Sequence, residues 1–228
     1  MPHSYASFWP QALLPFAQHR IRLCRFEEKI MSHLTSLDKI FHSLNDKDTY
    51  NLWSKTRVAK ITLGNSVIRV FVPLTKVALI DCFLNLPVSE VISIENQIVY
   101  DKWHLKQVKE VYKCLCNQKG NIKRLGHTGL MYGHATKLFN LFIGHLIFYS
   151  PYFPENAVKK VKHFLHVPLD KKVFEVLKAC SVKNIPALIK DVTEESYYNL
   201  QNIIRSSALR YRIPPLYFDE YGWAFDKV

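Results

Sequence analysis

The acidic side chain best placed to do chemistry is Asp170, which follows Pro168 and precedes Lys171 and Lys172. A carboxylate beside a sugar can stabilise the positive charge that develops when an N-glycosidic bond breaks, and it can orient the attacking water. An aspartate at this position is also a common helix N-cap, and the two roles can coexist. His166, four residues earlier, is interpreted as a satisfied core or turn histidine rather than a general acid.

A basic, glycine-bearing segment lies upstream of Asp170 and leads into a helix predicted to begin near Tyr132. Backbone N–H groups at a helix start can bind a phosphate, and glycine allows the backbone to approach it closely. Tyr132 can stack on or wedge beside a base, or pack in the core; Gly133 can equally serve close helix packing. Lys171 and Lys172, beside Asp170, can be solvated surface charges or phosphate ligands. The candidate nucleic-acid-binding residues are Lys123, Arg124, His127, Gly129, Tyr132, Gly133, His134, Lys137, Lys171 and Lys172.

Residues 125–177 resemble the helix-hairpin-helix DNA glycosylase superfamily. The resemblance rests on a degenerate glycine hairpin, Leu125-Gly-His-Thr-Gly-Leu-Met-Tyr-Gly133, then an apolar helix, then Pro168-Leu-Asp-Lys-Lys-Val-Phe-Glu-Val. In that last segment Asp170 stands at the family's catalytic aspartate. Ala135 stands where lyase-competent members carry lysine, so the resemblance implies a monofunctional DNA N-glycosylase. Such a hydrolase removes a modified or damaged base from a flipped nucleotide, in repair or in defence.

Two other functions fit the same residues. The chain can be a non-catalytic nucleic-acid-binding module that uses the loop and helix only to grip phosphate. It can also be a defence-associated interaction protein whose basic charge is incidental. An Asp170→Asn substitution separates the enzyme from the binding module, and the salt dependence of binding separates both from the third class.

The charge and the cysteine content favour an intracellular protein that binds nucleic acid. The 228 residues include 31 Lys and Arg against 19 Asp and Glu, a net charge of +12, and such an excess attracts polyanions. The charge therefore favours nucleic acid as the partner, and the resemblance to the DNA glycosylases implies double-stranded DNA. Five scattered cysteines are typical of reduced thiols, so a cytoplasmic location is predicted. No cofactor or metal motif stands out, and a zinc site from Cys114, Cys116 and His127 is disfavoured.

The pattern predicts a mainly α protein: a compact helical domain over residues 26–228, with two lobes and a cleft, after an N-terminal arm of residues 1–25. One β-hairpin is predicted near 58–72, where β-branched residues flank Gly64-Asn65. The apolar stretch 138–149 is too short for the roughly 20 residues of a membrane span, so a buried core helix is predicted.

Helix boundaries follow from caps and breakers in the sequence. Helices are predicted over residues 26–44 and 132–149, and a short basic one over 157–165. Asp101, Asp170 and Thr193 are predicted to cap three more, the last two ending near Cys180 and Tyr211. The aromatic tail after Ile213 is expected to dock on the core.

Overall fold

The computed structural model describes residues 46–64, 68–118, 120–121 and 132–224, with side chains up to residue 220. It divides the chain into two compact units, residues 1–50 and 51–228, and only residues 46–50 of the first unit are described. The N-terminal arm predicted for residues 1–25 and the helix predicted for residues 26–44 lie outside the described residues.

The described part of the chain is mainly helical and contains no strand, which confirms the predicted α class. Two short 3-10 turns, Val88–Ser93 and Ile189–Asp191, separate some of the helices. The α-helices are α1 (Lys47–Thr62), α2 (Thr75–Asn85), α3 (Gln97–Asn117), α4 (Tyr132–Phe148), α5 (Glu155–Val161), α6 (Lys171–Ala179), α7 (Glu194–Arg210) and α8 (Tyr217–Ala224).

The β-hairpin predicted near 58–72 is wrong. Its first strand would begin at Val58, but α1 continues to Thr62. The buried side chains Lys55, Val58, Ala59 and Thr62 recur every three or four residues, which is the period of a helix face. Val58 and Thr62, two of the β-branched residues that suggested a strand, therefore pack on one side of a helix, because burial outweighs their intrinsic β preference.

Hydrogen bonds from side chains to backbone groups hold α2 between α1 and α3. The Lys55 ammonium donates to the carbonyl oxygens of Leu84 and Leu86, each at 2.7 Å, at the C-terminal end of α2. A cation is favourable there because the last helical carbonyls lack intrahelical partners. At the other end, Asn121 Oδ1 accepts from the Val72 N–H at 2.9 Å, and its amide donates to the Leu115 carbonyl at the end of α3.

Helix α4 is the centre of the larger hydrophobic core. Twelve of its seventeen residues are buried, which confirms the predicted core helix. Phe142 of α4 stacks on Phe83 of α2 with ring centroids 4.3 Å apart and planes 3° from parallel. Among the described residues, no helix combines the length and the apolar character needed to cross a membrane.

A second hydrophobic cluster lies between α6 and α7 and includes Val173, Leu177 and Leu200. Asp170 caps α6 and Thr193 caps α7, as predicted. The tail also docks as expected: Leu216 packs on the first cluster, and Phe218 packs on the second.

The start of α3 differs from the prediction. The helix begins at Gln97, and the Asn96 side chain caps it by accepting from the Val99 N–H at 3.0 Å. Asp101 therefore lies within the helix, where its carboxylate is free to bind side chains from other elements. The short basic helix, predicted over residues 157–165, spans Glu155–Val161.

Candidate nucleic-acid interface

Both carboxylate oxygens of Asp170 are engaged in local structure. Oδ1 accepts from the backbone N–H groups of Lys172 at 3.0 Å and Val173 at 3.1 Å, which is the geometry of an N-cap. Oδ2 accepts from the Lys137 ammonium at 3.1 Å. The side chain is mostly buried, with a tenth of its surface exposed. This environment explains Asp170 as a cap tied to α4, and its predicted catalytic role stays a prediction.

The predicted phosphate-binding lysines near Asp170 have acidic neighbours. Lys137 pairs with Asp170, and the ammonium groups of Lys171 and Lys172 lie 3.6 Å and 3.7 Å from the two carboxylate oxygens of Glu175. Lys171 is exposed, so its pair is weak and leaves the ammonium accessible to a ligand. The positive charge of this end of α6 is nevertheless partly offset by Glu175.

Gly133 lies where α4 contacts the second 3-10 turn. A Cβ atom at this glycine would lie 2.0 Å from the carbonyl oxygen of Ile189 and 2.8 Å from Cβ of Val192. Close packing therefore requires glycine here, the second of the two roles that the sequence left open. The neighbouring residues are also largely packed: Tyr132 contacts the ring of Tyr197 edge-on at 6.1 Å, and His134 contacts Phe71 at 5.6 Å.

Four of the predicted interface residues, Lys123, Arg124, His127 and Gly129, lie outside the described residues. A cleft lies elsewhere in the described part of the chain, between α2 and α3. Among the described residues, no group of three or more His, Cys, Asp or Glu side chains could hold a metal ion.

A polar network that the sequence did not predict connects α3, α4 and α7. The Asp101 carboxylate binds Arg205 through two contacts, at 3.1 and 3.3 Å, and accepts from His166 Nε2 at 2.8 Å. His166 Nδ1 lies 2.9 Å from the hydroxyl of Tyr197. Both ring nitrogens of His166 are thus occupied and the residue is buried, which confirms its interpretation as a satisfied core histidine.

The inner part of the network is fully buried. His104 Nε2 lies 2.7 Å from Asn140 Oδ1, and the Asn140 amide donates to the Val167 carbonyl and to the Tyr197 hydroxyl. Gln201 pairs with both backbone groups of Val167, at 2.9 and 2.8 Å. Buried polar groups are stable only when they are paired, so these contacts hold α3, α4 and α7 in one register.

One direction of proton donation connects Val167 to Asp101, although His104 Nδ1 has no hydrogen-bond partner among the described residues and Arg205 also lies 3.1 Å from His166 Nε2. The Val167 carbonyl only accepts, which assigns the Asn140 nitrogen as the donor and its oxygen as the acceptor from His104. Tyr197 then accepts from Asn140 and donates to His166, whose Nε2–H donates to the Asp101 carboxylate. Both histidines are neutral in this arrangement.

The pKa shifts agree with neutral histidines beside an ionised aspartate. Burial lowers the pKa of His104 and of His166 below 6.5, although Asp101 opposes the shift at His166. Burial would raise the pKa of Asp101, but hydrogen bonds from His166 and Gln97 and the charge of Arg205 lower it to about 2. The network contains no exposed nucleophile, and its arrangement suits a structural role.

The clearest candidate interface is a row of lysines on α3, which we call the α3 lysine stripe: Lys102, Lys106, Lys109 and Lys113. All four side chains are exposed, and residues spaced by four, three and four positions share one face of a helix. Lys113 pairs with Glu110 at 2.8 Å. No carboxylate within the described ranges forms an ion pair with the other three.

None of the four lysines of the stripe is among the binding residues predicted from the sequence. The signal was available in the same segment, since lysines at those four positions alternate with the apolar residues Val108, Val111 and Leu115. The exposure of a lysine and its ion pairs, in contrast, depend on neighbouring helices. These two properties distinguish the stripe from lysines such as Lys137, which looks equivalent in sequence but pairs with Asp170.

Comparison with known proteins adds no relative, because no family model, curated protein or solved structure matches this chain.

Proposed function

We propose that this protein binds nucleic acid, with duplex DNA as the preferred partner, through the phosphate backbone. The observation that supports this most directly is the α3 lysine stripe, four exposed cations on one face of the longest described helix. The net charge of +12 supports it as well, because a strongly basic surface concentrates polyanions around the protein.

The length of the stripe suits a row of phosphates. Lys102 and Lys113 are eleven residues apart, which corresponds to about 16 Å along a helix axis. Each DNA strand carries one charge per roughly 3.4 Å of duplex axis, so the stripe can face several phosphates at once. Lysine is a flexible point charge without planar hydrogen-bonding geometry, so these contacts carry affinity rather than sequence specificity.

Three of the four lysines of the stripe lack an acidic partner among the described residues, unlike the lysines at the start of α6. Lys159 pairs with Glu155, and the lysines at the start of α6 share Glu175. Lys102, Lys106 and Lys109 bear no such carboxylate within the described chain, so a phosphate group need not displace one to reach them. Affinity then arises from the release of counterions that the DNA holds when it is free.

The test is a salt titration of duplex binding with two variants of equal charge. Fluorescence anisotropy of a labelled 20-bp duplex is measured for wild type, for Lys102→Gln/Lys106→Gln/Lys109→Gln, and for Lys171→Gln/Lys178→Gln/Lys183→Gln. All six lysines are exposed, and each variant loses three positive charges. Each lost phosphate contact should reduce the slope of log K against log salt by about 0.9.

We expect the α3 variant to lose affinity steeply and to reduce the salt slope by roughly 3, while the control variant stays close to wild type. Equal losses in the two variants would mean that net charge alone drives binding, and the stripe would not be an interface. A larger loss in the control would move the interface to α6, which carries two of the residues predicted from the sequence, Lys171 and Lys172. No binding by the wild-type chain at low salt would refute the proposed function itself.

A further inference from the structure

Two cysteines face each other across the cleft between α2 and α3. Cys82 of α2 and Cys114 of α3 both line this cleft, which has a volume of about 500 Å³. The two thiols are near enough to shift each other's pKa, and both residues are partly exposed. The two helices that carry them pack directly against each other. A small molecule in the cleft therefore has access to a pair of adjacent thiols.

The other cysteines of the described chain do not share this arrangement. Cys116 is two positions from Cys114 on the same helix, so the two side chains point to nearly opposite faces. Cys180 is exposed at the C-terminal end of α6, and it does not line the cleft. Access alone would make Cys180 the most reactive thiol, whereas proximity selects Cys82 and Cys114.

We propose that Cys82 and Cys114 form an oxidative modification site, a dithiol that low-molecular-weight disulfides convert into an intrachain disulfide joining α2 to α3. This proposal is independent of nucleic-acid binding. It rests on the position of the two thiols on adjacent, packed helices and on the cleft, lined by both, that gives a small disulfide access to them.

The reaction proceeds by two exchange steps. In the first, the Cys114 thiol gives up its proton and its sulfur attacks one sulfur of the small disulfide, whose S–S bond breaks. The leaving thiolate takes up a proton, and Cys114 is left in a mixed disulfide. In the second step, the Cys82 sulfur loses its proton and attacks Cys114 Sγ, which expels the second small thiolate. Two protein thiols are oxidised, and one small disulfide is reduced to two thiols.

The order of the two steps follows from the effect of each thiol on the other. The proximity of Cys82 lowers the pKa of the Cys114 thiol, whereas Cys114 and burial raise the pKa of Cys82. The thiolate is the attacking species, so Cys114 reacts first. Cys82 then acts as the resolving thiol, because the mixed disulfide forms within its reach.

The test treats the reduced full chain with glutathione disulfide, followed by acid quench, alkylation and peptide mass mapping. We expect a product lighter by two hydrogen atoms in which the Cys82 and Cys114 peptides are joined. Cys82→Ser should stop the reaction at a glutathione adduct on Cys114. Cys116→Ser, the matched control on the same helix, should form the cross-link at the wild-type rate.

A second measurement on the wild-type chain uses no substitution and therefore does not depend on a variant folding. A trivalent organic arsenical that bridges two adjacent thiols should protect Cys82 and Cys114 from alkylation, and it should leave Cys180 reactive. The proposal fails if Cys82 and Cys114 both stay alkylatable after Cys180 has become fully glutathionylated. It also fails if the arsenical protects neither cysteine of the pair.

Discussion

The hydroxyl of Tyr197 lies 2.9 Å from Nδ1 of His166 and joins two groups of helices that have separate hydrophobic clusters. Tyr197 belongs to the cluster between α6 and α7, while the Asn140 amide that donates to it comes from the core helix α4. The hydrogen bonds through this hydroxyl thus connect polar groups on both sides, and they set the register of α7 against α4.

Removing that hydroxyl should destabilise the protein more than its burial area suggests. Tyr197→Phe leaves His166 Nδ1 and one Asn140 N–H unpaired in a buried site, so we expect a loss of about 2 kcal/mol in the free energy of unfolding. The matched control is Tyr198→Phe, whose hydroxyl makes a longer contact of 3.3 Å at a partly exposed position. Urea unfolding followed by circular dichroism measures both. Equal small losses would show that the network contributes little to stability.

Stability should fall as the pH drops below about 6.5. Burial lowers the pKa of His104, His145 and His166 in the folded state, whereas the unfolded histidines titrate near 6.5. Below that pH the unfolded chain binds more protons than the folded one, so the full stability is present only above it. Urea midpoints measured between pH 7.5 and 5 should therefore decrease with acidity, and a flat profile would contradict neutral buried histidines.

A second loss is expected at lower pH from Asp101. Its pKa is about 2 in the fold and near 3.9 in an unfolded chain, so its contribution is complete above about pH 4 and disappears as the pH falls toward 2. The steepness of acid unfolding below pH 4 measures this term. Arg205→Gln removes the cation that supports the ionised carboxylate, and the acid transition of this variant should begin at higher pH.

Because Asp170 caps α6, two substitutions at this position should lower the free energy of unfolding by different amounts. Asparagine caps helices as well as aspartate does, whereas alanine cannot, so Asp170→Ala should cost about 1 kcal/mol and Asp170→Asn clearly less. The remaining cost of Asp170→Asn reports the ion pair with Lys137. Urea unfolding of the two variants gives both values. A similar loss for both would assign the stabilisation to the charge rather than to the cap.

The N-glycosylase prediction makes a separate demand on the same variant. The wild-type chain should release a base from a duplex that carries a modified or damaged nucleotide, and Asp170→Asn should abolish release while leaving duplex affinity intact. Gel analysis of alkali-cleaved abasic products measures release. If the wild-type chain releases no base from a panel of lesions, only the structural role of Asp170 remains.

Gly133 and Gly144 lie on the same helix and should respond differently to alanine. At Gly133 the new Cβ would meet backbone at 2.0 Å, so α4 must separate from the second 3-10 turn, and we expect a loss of about 3 kcal/mol. At Gly144 the nearest atom is the end of the flexible Leu216 side chain, at 3.2 Å. Alanine has a higher helix propensity than glycine, which offsets the close contact. Gly144→Ala should therefore change the free energy of unfolding by less than about 1 kcal/mol. Thermal unfolding of the two variants provides the comparison.

Local signals in the sequence determined much of the helical framework. The caps at Asp170 and Thr193 and the apolar run of α4 are encoded within a few residues, and the structure confirms all three. The hairpin prediction failed because Val58 is β-branched, yet its neighbours at helical spacing are buried by other helices. Local propensity is weak compared with the burial of a whole face, so only packing could decide that segment.

The sequence by itself determined the charge of the protein, its helical class and the start points of α6 and α7. The tertiary structure alone decided which of the lysines remain unpaired, that Gly133 faces backbone, and that Asp101 meets His166 across sixty-five positions. The physical reason is that caps and helical periodicity are short-range, whereas pairing and close contact depend on residues distant in the chain. Those contacts exist only once the helices have packed.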